Sequence, residues 1–378
     1  MAYMKNRIGI VGGGQLARML AFEAKRMGFI VTVIDPSPNS PGGQVCDEQI
    51  VASLDDEGAM GTLSKKSDFI TIEWELANDK ILQRFVDKGV TVNPSPRTLR
   101  MVKDKLSQKR FLSDNGIPVP EFAEVGSISD IKNISERLGY PVMLKARFGG
   151  YDGHGNALLT SAAGIPAAMM KLGTRDLYLE GLVRFKTELS VMAARDVHGN
   201  IAVYPVSENV HINSILHTTI APARVSARVR KKANSVALSV MRHLEGAGVF
   251  GIEMFLDKRG NVLVNEIAPR VHNSGHYTIE ACATSQFEQH IRALTGLPLG
   301  STEMLVPHAA MVNILGNRNG LAKVAGLEKA LSIPGVSVHI YGKKDTRTGR
   351  KMGHITATGR TAEEAIKRAT SARNYISV

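Results

Sequence analysis

The 378-residue chain has only two cysteines, Cys46 and Cys282, and they stand far apart. Neither belongs to a Cys-x-x-Cys pattern, so the sequence offers no zinc knuckle and no disulfide framework. Both read as small buried residues. Aromatic residues are scarce at 5%, Lys and Arg are scattered, and there is no basic tail. Those absences argue against nucleic acid as a partner, although the formal net charge is +12. Anionic small substrates or a basic surface account for that charge equally well. No apolar run approaches the roughly 20 residues of a membrane-spanning helix. The opening MAYMKNRIGIVGGG enters a strand pattern at once and lacks the apolar stretch of a leader. The expectation is a cytoplasmic protein with no membrane partner. What is present is ample core material, 43% hydrophobic against 22% charged, over a length that suits two or three domains.

The first hundred residues alternate between strand and helix patterns. Arg7–Val11, Ile30–Ile34, Asp68–Ile72 and Val90–Val92 read as strands, and Gln15–Met27 as an amphipathic helix. Such alternation predicts an α/β unit with a parallel sheet. Pro94 and Pro96 break the pattern, and Lys103–Asn115 reads as a helix ended by Gly116, Ile117 and Pro118. A smaller unit follows, with a helix over Ile128–Leu138, strands over Pro141–Ala146 and Asn156–Thr160, and a glycine-rich loop between them. From Leu177 strands dominate and the class turns to α+β. Leu177–Leu179, Thr187–Ala194, Ile201–Pro205, Val249–Leu256 and Val262–Ile267 are strands, with a long helix over Ser226–Leu244. Short strands near Ala309–Ile314, Val336–Tyr341 and His354–Ala357 precede a last helix, Thr361–Ala372.

Five segments carry chemistry. Gly12-Gly13-Gly14-Gln15-Leu16-Ala17 joins a strand to a helix, and Asp35 ends the next strand, as in a dinucleotide fingerprint. The same turn also suits another phosphate, or merely a tight bend. Lys145 ends a strand before Gly149-Gly150-Tyr151-Asp152-Gly153-His154-Gly155, whose glycines let backbone N–H groups wrap a polyphosphate. Glu253 and Glu266 lie on consecutive strands with Asn265 beside them, a set of hard oxygen ligands suited to Mg²⁺ and ATP phosphates. A solvated salt-bridged pair is the alternative, but both acids sit inside apolar strands, where unpaired burial is costly. Arg270-Val-His272-Asn273-Ser274-Gly275-His276 follows directly and is dense in donors. Lys343-Lys344 and Arg347 through His354 form a basic turn, either a solvated loop or a phosphate clamp.

Together these motifs resemble the ATP-grasp superfamily and, within it, the N5-carboxyaminoimidazole ribonucleotide synthetases, ATP-dependent carboxylases of purine biosynthesis. IGIVGGGQLARML, DPSPNSPGGQVCDE, GGYDGHGN, YPVSENVH, NEIAPRVHNSGHYTIEACATSQFEQH and GRKMGH stand in family order along nearly the whole chain. The stretch from Asn265 to His290 is the most specific. The resemblance implies an ATP-grasp fold in three parts. A Rossmann-like pre-ATP-grasp domain spans 1–104, and an ATP-grasp domain spans 105–298 with a lid subdomain at about 116–178. A small C-terminal domain over 299–378 completes the substrate site. A homodimer is implied too. The glycine turn, with Gln15 and Leu16, then approaches a substrate phosphate and binds no nicotinamide.

Residue by residue, the resemblance assigns Lys105 and Lys145 to the ATP phosphates and Gly150 through Asn156 (Gly150, Tyr151, Asp152, Gly153, His154, Gly155, Asn156) to a covering loop. Glu180, Gly181, Leu182 and Val183 become the adenine hinge, Glu188 the ribose acid, and His211 a further nucleotide contact. Glu253 and Glu266 become the Mg²⁺ ligands, with Asn265 alongside. Glu73, Tyr151, Arg270, Asn273, Ser274 and His276 would line the ribonucleotide and carboxylation site, and Lys343, Arg350 and Lys351 would hold the 5′-phosphate. The chain departs from the family at His154, where Lys or Arg is usual, at Gly181 within the hinge, and in Ile72-Glu73-Trp74-Glu75. The implied reaction joins bicarbonate to ATP as carboxyphosphate and passes the carboxyl group to 5-aminoimidazole ribonucleotide, with no covalent enzyme nucleophile. Three rivals remain at this stage. They are a formate-dependent ATP-grasp transformylase, a nicotinamide oxidoreductase using Gly12–Ala17 and Asp35, and a non-catalytic nucleotide-binding regulator.

Overall fold

The computed structural model describes residues 6–150, 155–173 and 176–378. The N-terminal unit holds strands β1 (Arg7–Val11), β2 (Ile30–Asp35), β3 (Glu48–Val51), β4 (Phe69–Ile72) and β5 (Thr91–Val92). They form a five-stranded sheet in the order β3-β2-β1-β4-β5, with every pairing parallel. Continuous apolar runs such as FITI suit a sheet covered on both faces, and β4 is buried throughout. The acidic, polar EQIV of β3 lacks that pattern, which explains why the sequence did not announce it as a strand. The two prolines near residue 95 do more than break a pattern. Ser95 caps a helix at Pro96–Lys103 by accepting from the Thr98 amide, and Pro96 takes the first turn, where no N–H is needed.

The second unit is a four-stranded antiparallel sheet of β6 (Phe122–Glu124), β7 (Val142–Ala146), β8 (Asn156–Leu159) and β9 (Leu177–Gly181), in the order β6-β9-β7-β8. With the helices Ile128–Leu138 and Ile165–Leu172 it encloses its own core around Leu144, Leu159, Ile165 and Leu179.

The third and largest body is a nine-stranded antiparallel sheet. Its strands are β10 (Phe185–Arg195), β11 (Ile201–Val203), β12 (Ser207–Ile212), β13 (Ile215–Ala221), β14 (Gly248–Asp257), β15 (Val262–Ala268) and β16 (His308–Leu315), then β18 (Val336–Ile340) and β20 (Lys351–Gly359). A separate small ribbon pairs β17 (Gly320–Leu321) with β19 (Asp345–Thr346). The main order is β15-β14-β10-β12-β13-β16-β20-β18, with β11 beside β10. Segment 299–378 therefore continues the central sheet through the β13–β16 pairing. It also keeps a core of its own, where Ala365, Ala369 and Ala372 of the last helix meet Val312 and Ile355. The β12–β13 hairpin turns at Asn213 and Ser214, both with positive φ (50° and 63°) and neither a glycine, so no Asn-Gly signal marks it in the sequence. The helix Gln286–Thr295, also unannounced, shares one core with the first unit, joining Phe287, Ile291 and Leu294 to Ile8 and Leu20.

Candidate active site

The β14–β15 hairpin sets Glu253 directly opposite Glu266, and the ladder bulges just beyond them. Burial first, and then the facing Glu266 charge, push the Glu253 carboxyl up to about 7. Glu266 goes the other way. Burial opposes its ionisation, but the Lys105 ammonium, 2.8 Å from Oε2, together with Lys145 and Lys109, lowers its pKa. Two acids thus share a pocket in which, among the described residues, Lys or Arg pairs directly with only one of them. A hard divalent cation, held partly by substrate phosphates, fits that donor set. Among the described residues no cluster of three or more His, Cys, Asp or Glu could hold a metal with protein ligands alone. On neighbouring β10 and β12, Glu188 Oε2 lies 3.0 Å from His211 Nδ1. Burial works against charge on that imidazole, yet Glu188 and Glu253 raise its pKa.

Lys145 arrives from β7 of the smaller sheet and Lys109 from the helix Lys105–Asp114. Both reach Glu180 on β9, at 3.2 Å and 3.1 Å. Lys109 Nζ also donates to the carbonyls of Val264 (3.2 Å) and Asn265 (2.9 Å), tying the small sheet to the strand that carries Glu266. Burial pushes this lysine down to about 8. The Glu180 side chain is therefore turned inward. At the hinge, the Gly181 amide bonds the Glu121 carbonyl at 2.7 Å, while Leu182 is exposed and Val183 half-buried. Gly150 closes the described part of the loop. Tyr151, Asp152, Gly153 and His154 lie outside the described residues. Gly155 resumes at φ 92°, and Asn156 pairs with Lys145 across the β7–β8 hairpin.

Where β15 ends, the chain runs straight into the donor-rich stretch. Arg270 Nη2 donates to Glu75 Oε2 at 2.8 Å, reaching the N-terminal unit. Burial raises the pKa of Glu73, against the pull of Arg270 and Lys343. Lys343 donates to the Lys351 carbonyl at 2.7 Å, and burial and Arg350 push its ammonium down to about 8. Arg350 Nη1 donates to the Asp345 carbonyl at 2.6 Å and pins the basic turn. Acids and cations from three distant segments thus converge. Asn273, Ser274 and His276 are buried, and their side chains bond within the protein. Asn273 and Asn313 exchange amide hydrogen bonds, Ser274 Oγ lies 2.8 Å from His272 Nδ1, and Gln286 Nε2 lies 3.0 Å from His276 Nδ1.

Four participants were given no role by the sequence reading: Lys109, Glu75, Gln286 and His272, whose Nε2 lies 3.5 Å from Glu253 Oε1. Glu75, His272 and Gln286 each stand inside a stretch that the sequence singles out, whereas Lys109 had no local signal.

The glycine turn is occupied by the protein itself. Gly13 N–H donates to Asp35 Oδ2 at 2.8 Å, and the Leu16 amide bonds Glu73. A Cβ on Gly14 would stand 2.3 Å from Glu73 Oε1, so glycine is required there to admit a carboxylate. Asp35 is engaged with its own turn and is not free for a ribose, which removes the structural basis of the nicotinamide reading. Leu16 buries its side chain, and Gln15 is half-buried.

A small antiparallel sheet bearing a lysine, facing a large one bearing paired acids, defines an ATP-grasp enzyme. Family models agree in three consecutive pieces: a ribonucleotide synthetase preATP-grasp domain over residues 4–103, an ATP-grasp domain over 110–287, and a phosphoribosylaminoimidazole carboxylase C-terminal domain over 309–368. The chain is 40% identical to the N5-carboxyaminoimidazole ribonucleotide synthase of Bacillus subtilis, over 96% of this chain and 94% of that protein. It also matches the crystal structure of N5-carboxyaminoimidazole ribonucleotide synthetase from Thermotoga maritima, at 48% identity and a TM-score of 0.90 over 99% of both chains. The synthase from Aspergillus clavatus, solved in complex with ADP and 5-aminoimidazole ribonucleotide, matches at 37% identity and TM-score 0.90 over 98% of both. The chain belongs to the N5-carboxyaminoimidazole ribonucleotide synthase family.

Proposed function

We propose that the protein catalyses ATP-dependent carboxylation of 5-aminoimidazole ribonucleotide to N5-carboxyaminoimidazole ribonucleotide in purine biosynthesis. The observation that carries the reading is the continuity of β15. Glu266, opposite Glu253, serves the nucleotide, and four residues later Arg270 begins the stretch that serves the acceptor.

In this reading bicarbonate attacks the γ-phosphate of ATP, giving carboxyphosphate and ADP, and the carboxyl group then passes to the exocyclic amine of the ribonucleotide, which loses a proton as phosphate leaves. Lys105 and Lys145 hold the phosphates in line, since phosphoryl transfer depends mainly on placement and electrostatics. Glu253 and Glu266 would hold Mg²⁺, which when bound supplies positive charge to the phosphates. The loop from Gly150 to Asn156, the hinge from Glu180 to Val183, Glu188, His211 and Asn265 complete the nucleotide site. The acceptor site comprises Gln15, Leu16, Glu73, Tyr151, Arg270, Asn273, Ser274 and His276. Lys343, Arg350 and Lys351 take the 5′-phosphate. The basic turn supports that last assignment, because Lys343 and Arg270 both act on Glu73. The division at 1–104, 105–298 and 299–378, a homodimer and a cytoplasmic location complete the proposal. Among the described residues no helix is long and apolar enough to cross a membrane.

The deciding experiment measures ADP release with and without 5-aminoimidazole ribonucleotide at controlled bicarbonate. Turnover that depends on both is expected. Turnover indifferent to the ribonucleotide, or sustained by formate in place of bicarbonate, would refute the reading.

A further inference from the structure

Gln286 begins the helix Gln286–Thr295 and is fully buried. Its amide is oriented by backbone atoms that can each play only one hydrogen-bonding role. Oε1 accepts from the His272 amide at 2.9 Å, and Nε2 donates to the His272 carbonyl at 2.7 Å. A reversed amide would set donor against donor and acceptor against acceptor. The same Nε2 lies 3.0 Å from His276 Nδ1. A neutral imidazole facing an N–H must accept at that nitrogen and carry its proton on the other. We infer that Gln286 is a positioning residue that holds His276 as the Nε2–H tautomer, so that His276 meets the carboxyl group in transfer as a neutral hydrogen-bond donor and not as the base that deprotonates the amine.

The inference rests on the carboxylation reading above, but its geometric half stands alone. The His276 ring is 1% exposed and packed against Phe287 (centroids 5.5 Å apart) and His354 (4.7 Å), so it has no room to turn and offer the other nitrogen. Burial, His339, Lys351 and Arg270 all disfavour a second proton on it and keep it neutral well below the usual histidine range. Lys351 and Arg270 favour an anionic oxygen nearby, which is the partner an N–H donor requires. The surrounding sequence is shaped to the amide as well. A Cβ on Gly275 would come within 2.5 Å of Gln286 Oε1, and the Gln286 backbone amide is anchored on Thr278 Oγ1 at 2.9 Å. One side chain thereby fixes both the backbone of His272, beside Glu253, and the ring of His276.

The test uses the full chain labelled with ¹⁵N-histidine. Imidazole nitrogen signals are recorded at neutral pH, and those of His276 are assigned by their loss in His276→Asn. The expected spectrum shows a protonated Nε2 and an unprotonated Nδ1. The reverse pattern would overturn the inference whatever the activity. In Gln286→Glu an acceptor replaces the donor, so the proton should move to Nδ1. ADP released per ribonucleotide carboxylated should then rise at least tenfold, with KM for ATP within twofold of the parent. A purely structural role would instead raise KM for ATP and leave that ratio alone, and an unchanged ratio in a tautomer-shifted variant would also overturn the proposal. If the parent protein itself failed to carboxylate, the functional reading would fall, and the spectrum would still decide the tautomer.

Discussion

His290 offers a sharp test of how the N-terminal unit is joined to the rest of the chain. It is fully buried in the helix Gln286–Thr295. Its Nδ1 accepts from the Val249 amide at 3.0 Å, and its Nε2 lies 2.8 Å from Thr71 Oγ1 on β4. A backbone amide can only donate, so the neutral ring carries its proton on Nε2 and donates to Thr71. A second proton would have to enter at Nδ1, directly against the Val249 N–H. The ring cannot retreat, because a Cβ on Gly248 (φ 124°) would already lie 2.9 Å from its Cε1. Burial lowers the His290 pKa from 6.5 to about 4. Between those values the unfolded chain binds one more proton than the folded chain. Stability therefore rises with pH, is fully present above 6.5, and is lost at about 1.4 kcal/mol per pH unit as pH falls. At pH 5 the loss from this group is about 2 kcal/mol. His290→Gln cannot titrate, yet its amide can still accept from Val249 and donate to Thr71. Urea unfolding followed by circular dichroism should show the variant less stable than the parent at pH 8, with that gap narrowed by about 2 kcal/mol at pH 5. His272, His276 and His354, also held neutral by burial, titrate in both proteins and cancel in the difference. A gap that stays constant or widens between pH 8 and pH 5 would refute the argument.

Other outcomes follow from the site. Glu266→Gln should reduce ADP formation by more than about 100-fold with an unaltered circular dichroism spectrum, since it removes a charge on which phosphate neutralisation depends; near-normal ADP release would sink the metal assignment. Chelation with EDTA should abolish turnover and added Mg²⁺ should restore it, so chelator-resistant activity would count against a divalent cation. Arg350→Ala should raise KM for the ribonucleotide about tenfold or more while leaving KM for ATP unchanged, in keeping with the loss of a charge-assisted contact. A rise confined to ATP would place the basic turn at the wrong end of the site. Lys109→Met leaves Glu180 buried with Lys145 as its one remaining cation among the described residues, and calorimetry should show a loss of about 3–5 kcal/mol, the usual consequence of breaking a buried pair.

The parts legible in the sequence were those with local cause. Alternating strands and helices gave the parallel unit, the apolar strands around Glu253 and Glu266 gave the acid pair, and the glycine density after Lys145 marked the hairpin loop between β7 and β8. The hairpin at Asn213–Ser214 stayed hidden because its left-handed turn uses no glycine. The glycine turn misled in isolation, because nothing local tells that Glu73 and Asp35 supply the anions it attracts. Lys109, 155 residues from Val264, and Gln286, 14 residues from His272, act through contacts that no periodicity encodes. Sequence pattern locates chemistry that lies along a strand; it does not locate the buried polar side chains that orient that chemistry from another element.

The unbroken nine-stranded sheet has a consequence for recombination. The strands that carry the acid pair and those that flank the basic turn are hydrogen-bonded into one platform through β13 and β16, with Thr218 to Ala221 in register with Val312 to Ala309. A chimera that imports only the C-terminal segment from a relative with another acceptor would therefore inherit a foreign seam in the middle of a sheet. Slipping that seam by one residue would turn every β16 side chain to the opposite face. A crossover placed later, in the β16–β18 connection, would keep the β13–β16 seam native but move the foreign seam to the β16–β20 pairing, which runs from His308 opposite Gly359 to Leu315 opposite Lys351.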